Sequence, residues 1–229
     1  MIINEKGIGC ESCHFPGLDG VFTPKDIAFI NVNKSEISFN AGEVIVRQGT
    51  YVSQIAFVKK GVVKKVLEGK NNKNTILKLT SENNFIALPI LGNSDIYPFS
   101  IVALTDCDIW FIRKETMVQI VESNARVNEY LLKWYSEDYL YMYSKIIVMS
   151  TRNSHGKLAS ALIYLSNLNN GDTILGTISR KDLAEIATIS LESTNKILMQ
   201  LKLDRIIDIN SQGISIIRKD LVEKLSTVG

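Results

Sequence analysis

The spacing of apolar and polar positions changes character twice along the chain. Over residues 37–113 it is strand-like. Short runs rich in Ile, Val, Phe and Thr are broken at Ala41-Gly42, Gly49, Gly61, Lys70-Asn71-Asn72 and Gly92-Asn93. Residues 62–67 and 75–79 flank a Lys/Asn-rich turn and predict a hairpin, and 99–104 and 108–113 predict two further strands. Many short strands at close turn spacing predict an antiparallel barrel or roll. Ahead of them, Thr23 followed by Pro24, with Ile27, Phe29 and Ile30 on one side, predicts a short capped helix over 23–32.

After Arg113 the period becomes helical. Residues 114–121 predict one short helix. Residues 128–149 contain neither Gly nor Pro, and Leu131, Trp134 or Tyr135, Tyr139, Met142, Ile146 and Met149 recur every three or four positions. So apolar a helix needs cover, and two partners fit. One is its own domain; the other is an identical helix at a twofold axis.

A polar stretch, 151–156, predicts a hinge. Beyond it, 157–168 carries Leu158, Ala161, Leu162 and Leu165 on one face. Residues 179–187 open with Ser179-x-x-Asp182, the capping-box spacing. Residues 190–202 open with a second cap and continue with Thr194, Ile197, Leu198 and Leu201, of which Ile197, Leu198 and Leu201 supply the inward face. Residues 206–209 and 214–217 flank Asn210-Ser211-Gln212-Gly213, a hairpin turn. Two capped helices joined by a few residues and followed by a hairpin predict a winged helix-turn-helix.

In such a unit the second helix enters the major groove of DNA. Glu192, Asn195 and Lys196 lie opposite its apolar side. They can accept from cytosine, bind adenine in two-point fashion and donate to guanine, respectively. Ser190 and Ser193, at the helix start, suit phosphate. Bulk charge adds little, because 26 Lys/Arg against 24 Asp/Glu give a net +2, and residues 151–229 alone hold ten basic and eight acidic side chains. The DNA-binding reading rests on geometry.

Other classes recede. No apolar run approaches the roughly 20 residues that span a bilayer, and the first ten residues lack a signal-peptide pattern. A cytoplasmic protein without membrane contact is expected. No Ser/His/Asp or Cys/His constellation and no phosphate loop argues for an enzyme. A ligand- or redox-sensing module whose helix-turn-helix docks protein is the competing reading.

The chain resembles the Crp/Fnr family over nearly its whole length. The N-terminal half carries Ala41-Gly42-Glu43-Val44-Ile45-Val46-Arg47-Gln48-Gly49 and Ile55-Ala56-Phe57-Val58-Lys59-Lys60-Gly61, similar to the family's roll pattern. The stronger match runs from Ile178-Ser179-Arg180-Lys181-Asp182-Leu183-Ala184 to Ser190-Leu191-Glu192-Ser193-Thr194-Asn195-Lys196-Ile197-Leu198. The resemblance implies an α+β protein. An N-terminal antiparallel β-roll sensor of the double-stranded β-helix or cupin-like type spans 1–122. A dimerisation helix spans 123–150 and a winged helix-turn-helix spans 151–229. It adds Ser179 and Arg180 to the DNA-binding set, and implies a homodimer, a palindromic operator of double-stranded DNA and a contact with RNA polymerase. Family recognition helices carry E-x-x-S-R or R-E-x-x-x-R. Here Glu192 matches the Glu, Asn195 stands at the Ser, Lys196 at the final Arg and Leu191 at the first Arg, so a related but altered operator is implied.

The effector is less legible. Cyclic-nucleotide binders of this fold carry F-G-E followed by R-(S/A), whereas this chain has Phe85-Ile86-Ala87-Leu88-Pro89 and then Tyr97-Pro98-Phe99-Ser100, with no Arg between Arg47 and Arg113. A buried phosphate would lack its cation, so cyclic AMP and cyclic GMP are not expected. Leu88, Tyr97, Phe99 and Ser100 remain the candidate effector pocket. The Fnr branch binds a [4Fe–4S] cluster through an N-terminal Cys pair, a third Cys and a distant fourth. Cys10, Cys13 and Cys107 with Asp19 stand at corresponding places here, and the alternatives are zinc, a thiol sensor or, for Cys107, plain core. Haem would have only His14 and His155.

Overall fold

The computed structural model describes residues 18, 20–86, 88–91, 95–168 and 173–229. Helix α1 (Pro24–Val32) starts as expected: the Thr23 hydroxyl accepts from Asp26 N and the Asp26 carboxylate answers at Thr23 N, a complete capping box with Pro at the first turn. Eight strands follow: β1 (Lys34–Phe39), β2 (Val44–Val46), β3 (Gln54–Lys60), β4 (Val62–Leu67), β5 (Thr75–Ser81), β6 (Asn84–Ile86), β7 (Ser100–Ala103) and β8 (Cys107–Arg113). They form two four-stranded sheets, β1-β8-β3-β6 and β2-β7-β4-β5, antiparallel at every pairing. This is the roll. Its interior holds Val58, Val63, Ile101, Ile109 and Phe111. Cys107 belongs to that interior, 2% exposed, its thiol donating to Val62 O and Thr105 O. Burial pushes the thiol above its ordinary value.

Two helices leave the roll, α2 (Lys114–Ser123) and α3 (Ala125–Thr151), joined at Asn124, whose side chain accepts from Arg126 N and Val127 N. The sequence stripe assigned to α3 is corrected here, because it mixes two faces. Val127 and Leu131 are buried against the roll, with Trp134 and Tyr135 packed beside them. Tyr139 and Ile146 lie on the opposite face and are exposed, together with Leu132, Leu140, Tyr143 and Ile147. The helix therefore uses one side for its own domain and leaves a second apolar side uncovered. The expected hinge is also shorter than 151–156. Thr151 ends α3, and helix α4 (Ser154–Leu168) starts three residues later because Asn153 Oδ1 accepts from His155 N and Gly156 N.

The C-terminal unit continues with β9 (Thr173–Leu175), α5 (Arg180–Ala187), α6 (Leu191–Leu203), β10 (Ile207–Asn210), β11 (Gly213–Ile216) and α7 (Lys219–Val228). Sequence patterning did not find β9 or α7.

Strand β4 joins the two halves. Its period-two alternation sends Val62, Lys64 and Val66 toward the C-terminal unit and Val63 and Lys65 toward the roll and α3. Val66, with Ile76 and Leu79 of β5, is buried in one cluster with Leu158, Leu162, Leu183 and Leu198. Lys65 and Lys78 sit directly opposite each other across β4 and β5, a pairing that like charges disfavour. Asp138 of α3 resolves it, 3.8 Å from Lys65 Nζ and 2.6 Å from Lys78 Nζ, while both ammoniums also lie over the Trp134 ring. Burial pushes the Lys65 ammonium down from its ordinary value, and the Asp138 charge opposes that. Asp138→Asn leaves two lysines facing each other with no anion, so chemical denaturation will show a loss of about 3 kcal/mol, and adding Lys65→Met will recover part of it.

Candidate nucleic-acid interface

Helix α5 is fixed at its start by a capping box: Ser179 Oγ accepts from Asp182 N, and the Asp182 carboxylate accepts from Ser179 N. That carboxylate also pairs with Lys64 of β4, so the cap of the first helix doubles as the anchor of the whole unit on the roll. Burial alone would raise the Asp182 carboxyl, but the Lys64 ammonium and the Ser179 hydrogen bonds outweigh it and hold it below its ordinary value. Two more contacts tie the halves together. The Tyr164 hydroxyl accepts from Leu79 N at 2.8 Å, and Lys145 Nζ donates to Ile186 O at 3.1 Å.

The turn between α5 and α6 is tight. Thr188 closes α5 in the left-handed region, φ +55°, and both Thr188 and Ile189 return their N–H groups to Ala184 O. A β-branched residue is strained there. Helix α6 then begins at Ser190, whose hydroxyl accepts from Ser193 N and donates to Ser193 Oγ. Thr194 is fully buried on the inward side and donates to Ser190 O. Ile197, Leu198 and Leu201 complete the inward stripe.

Glu192, Asn195, Lys196 and Met199 share the outward face at helical spacing, and all are exposed. The structure thus places the expected base-reading trio on one free surface. Ser190 is exposed and Ser193 half-buried at the head of the same helix. Ser179 is exposed and Arg180 half-buried at the head of α5. The tip of the β4–β5 hairpin, Lys73 to Thr75, reaches the α5–α6 turn and leaves a cavity of about 510 Å³ between them, lined by Lys181 and Ser190 among others, without covering the trio. The wing is the β10–β11 hairpin with β9 added on its far side. Gly213 is required there: a Cβ would lie 2.0 Å from Ile174 O, and its φ is +138°.

The candidate effector residues do not form one group. Leu88 is fully buried in the cluster with Leu131, and its carbonyl accepts from Tyr135 OH. Tyr97 and Phe99 are buried inside the roll. The Tyr97 hydroxyl donates to Gln54 O, and burial pushes its pKa up to about 12. Ser100 accepts from Gln48 N and donates to Glu68. Of the proposed metal set, Cys10, Cys13 and Asp19 lie outside the described residues, as does His14, while His155 is exposed at the start of α4. Sequence reasoning missed Lys64, Lys65, Asp138 and Lys145. One signal was present: Asp138 stands seven residues after Leu131, an acid on the helix face that packs inward.

A β-roll and a long helix carrying a winged helix-turn-helix with a free polar face define the class, a DNA-binding regulator. The family described as Cyclic nucleotide-binding domain matches residues 36–124, and the Crp-like helix-turn-helix domain matches residues 156–225. The anaerobic regulatory protein of Bacillus subtilis strain 168 is 25% identical over 179 residues, which cover 76% of this chain and 75% of that one. FixK2 from Bradyrhizobium japonicum has the same fold at TM-score 0.76 and 13% identity, over 86% of this chain and 98% of its own. The c-di-GMP responsive global regulator CLP of Xanthomonas campestris follows at TM-score 0.73 and 17% identity, over 85% and 99%. With a cyclic nucleotide-binding-like sensor domain followed by a Crp-like helix-turn-helix, the chain is a transcriptional regulator of the Crp/Fnr type. The competing reading, a helix-turn-helix that docks protein, is not favoured by these relatives.

Thr188→Gly removes the strain at the turn. Thermal or chemical unfolding will show a gain of about 0.5–1 kcal/mol, the relief at φ +55° exceeding the added freedom of the unfolded chain.

Proposed function

We propose that this regulator acts as a homodimer on a palindromic operator, with the roll setting the angle of α3 and hence the separation of the two α6 helices. The observation that carries the reading is the pairing of two free surfaces on one rigid path. Glu192, Asn195 and Lys196 are exposed at one end. Along α3, positions 132, 136, 139, 143, 146 and 150 alternate by four and three residues, and Leu132, Tyr139, Tyr143 and Ile146 among them are exposed. Leu140 and Ile147 widen that seam. A second α3 is the occupant that supplies the same heptad. The place of action is the cytoplasm, with RNA polymerase as the further partner, and no catalysis is assigned to the chain.

Selection from a random duplex library tests this. The unaltered protein is expected to enrich inverted repeats. Glu192→Ala will lose preference at one base of each half-site, where a good contact discriminates by about 1–3 kcal/mol. Lys196→Ala will weaken binding to the selected sites roughly five- to tenfold and relax the preference at the guanine it donates to. Ile146→Lys will sediment as a monomer and will not enrich inverted repeats. Equal binding of all duplexes by the unaltered protein would refute the proposal.

A cyclic nucleotide is not the proposed effector. Lys65, whose ammonium lies 5.1 Å from the Phe99 ring centroid, already serves Asp138, and Glu68 holds the Ser100 hydroxyl where a phosphate would be repelled. For Cys107 we propose a packing role. A cluster ligand must be a thiolate, whereas this thiol is enclosed beside Gly61 and donates to two carbonyls. Cys107→Ala is therefore expected to leave the iron and sulfide content of anaerobically purified protein unchanged; a drop in either would assign Cys107 to a cluster.

A further inference from the structure

A second site lies at the joint between the halves. A cavity of about 170 Å³ opens between the C-terminal part of α3, the first turns of α4 and the end of α5. Val148, Ala161 and Ile186 give it apolar walls, while Lys145 and Lys157 enter it with the Ser160 hydroxyl. No carboxylate lines it among the described residues.

Lys145 is the unusual member. It is half-buried, and the Ile186 carbonyl, in the last turn of α5, is its one hydrogen-bond partner among the described residues. An ammonium has three N–H donors, so this one keeps capacity for another acceptor. Burial alone pushes it down to about 8, with no carboxylate charge opposing. It stays largely protonated at neutral pH, a cation beside an apolar chamber with no anion of the chain's own. The chamber is smaller than the roughly 300–1,000 Å³ that drug-sized ligands occupy, so it suits a single ring or a short acyl chain.

We propose that this cavity binds a small organic carboxylate, its acid group on Lys145 within the field of Lys157 and its apolar body against Val148, Ala161 and Ile186. Such a ligand touches the long helix and the end of α5 at once. It would tie the helix-turn-helix to α3 without passing through the roll, a second input to the same switch. The binding claim stands apart from the DNA reading, since it is measured without DNA.

Isothermal titration of the full chain at pH 7 with phenylacetate and hexanoate, and with phenylacetamide and hexanamide, tests it. At least one acid is expected to bind, with the amide of the same shape at least tenfold weaker. Lys145→Gln should weaken the acid at least tenfold. Ala161→Phe, which fills the chamber and keeps both lysines, should abolish binding. The acid–amide comparison uses the unaltered protein and holds whether or not either variant folds. Binding of neither acid, equal binding of acid and amide, or undiminished binding by a folded Lys145→Gln chain overturns the proposal.

Discussion

One carboxylate stands between two lysines that the sheet places face to face, and the arrangement of the halves depends on it. Asp138 belongs to the long helix; Lys65 and Lys78 belong to the β4–β5 hairpin. Like charges across adjacent strands repel, and Lys65 is almost wholly buried, so the hairpin is stable in this register only while α3 lies against it. The other side of the same hairpin is the platform for the C-terminal unit, through Val66, Ile76, Leu79 and the Lys64–Asp182 pair. The hairpin therefore contacts α3 on one face and the C-terminal unit on the other. The link between sensor and DNA-binding unit is thus a two-strand element shared by both cores.

The DNA-binding unit divides its labour by depth. Asp182 and Thr194, both polar and both buried, are consumed by capping and by the Lys64 anchor. On the surface of α6, Gln200 and Lys202 are tied to Asp204 and to Ile209 O, whereas Glu192, Asn195 and Lys196 are exposed at the other end of the helix. Two residues of the unit hold φ +55°: Thr188, where the chain reverses between the two helices, and Arg205, just after α6.

Much of this was legible in the sequence because local rules agree with the fold. Both serine caps, the β4–β5 hairpin, the wing turn and the inward stripe of α6 follow from residue types at fixed spacings. Strand β9 was not legible: Thr173-Ile174-Leu175 is too short to show a period and is defined by its pairing with β11. The α3 stripe misled for a physical reason. Apolar residues cover both sides of that helix, and periodicity alone does not divide Leu131, which faces the roll, from Tyr139, which does not. The exposure of Glu192, Asn195 and Lys196 was legible because it follows from the helical wheel. The joint cavity was not, because Lys145 and Ile186 are 41 residues apart and meet only in three dimensions.

Strand β4 is addressed from both sides, with alternate residues answering to different domains. Losing or gaining one residue within it would hand Lys64 to the roll and Lys65 to the helix-turn-helix, exchanging both partners in a single step. Length variation among relatives of this protein is therefore expected to collect in the loop between β4 and β5, and the strand itself to keep its count even where its side chains have drifted.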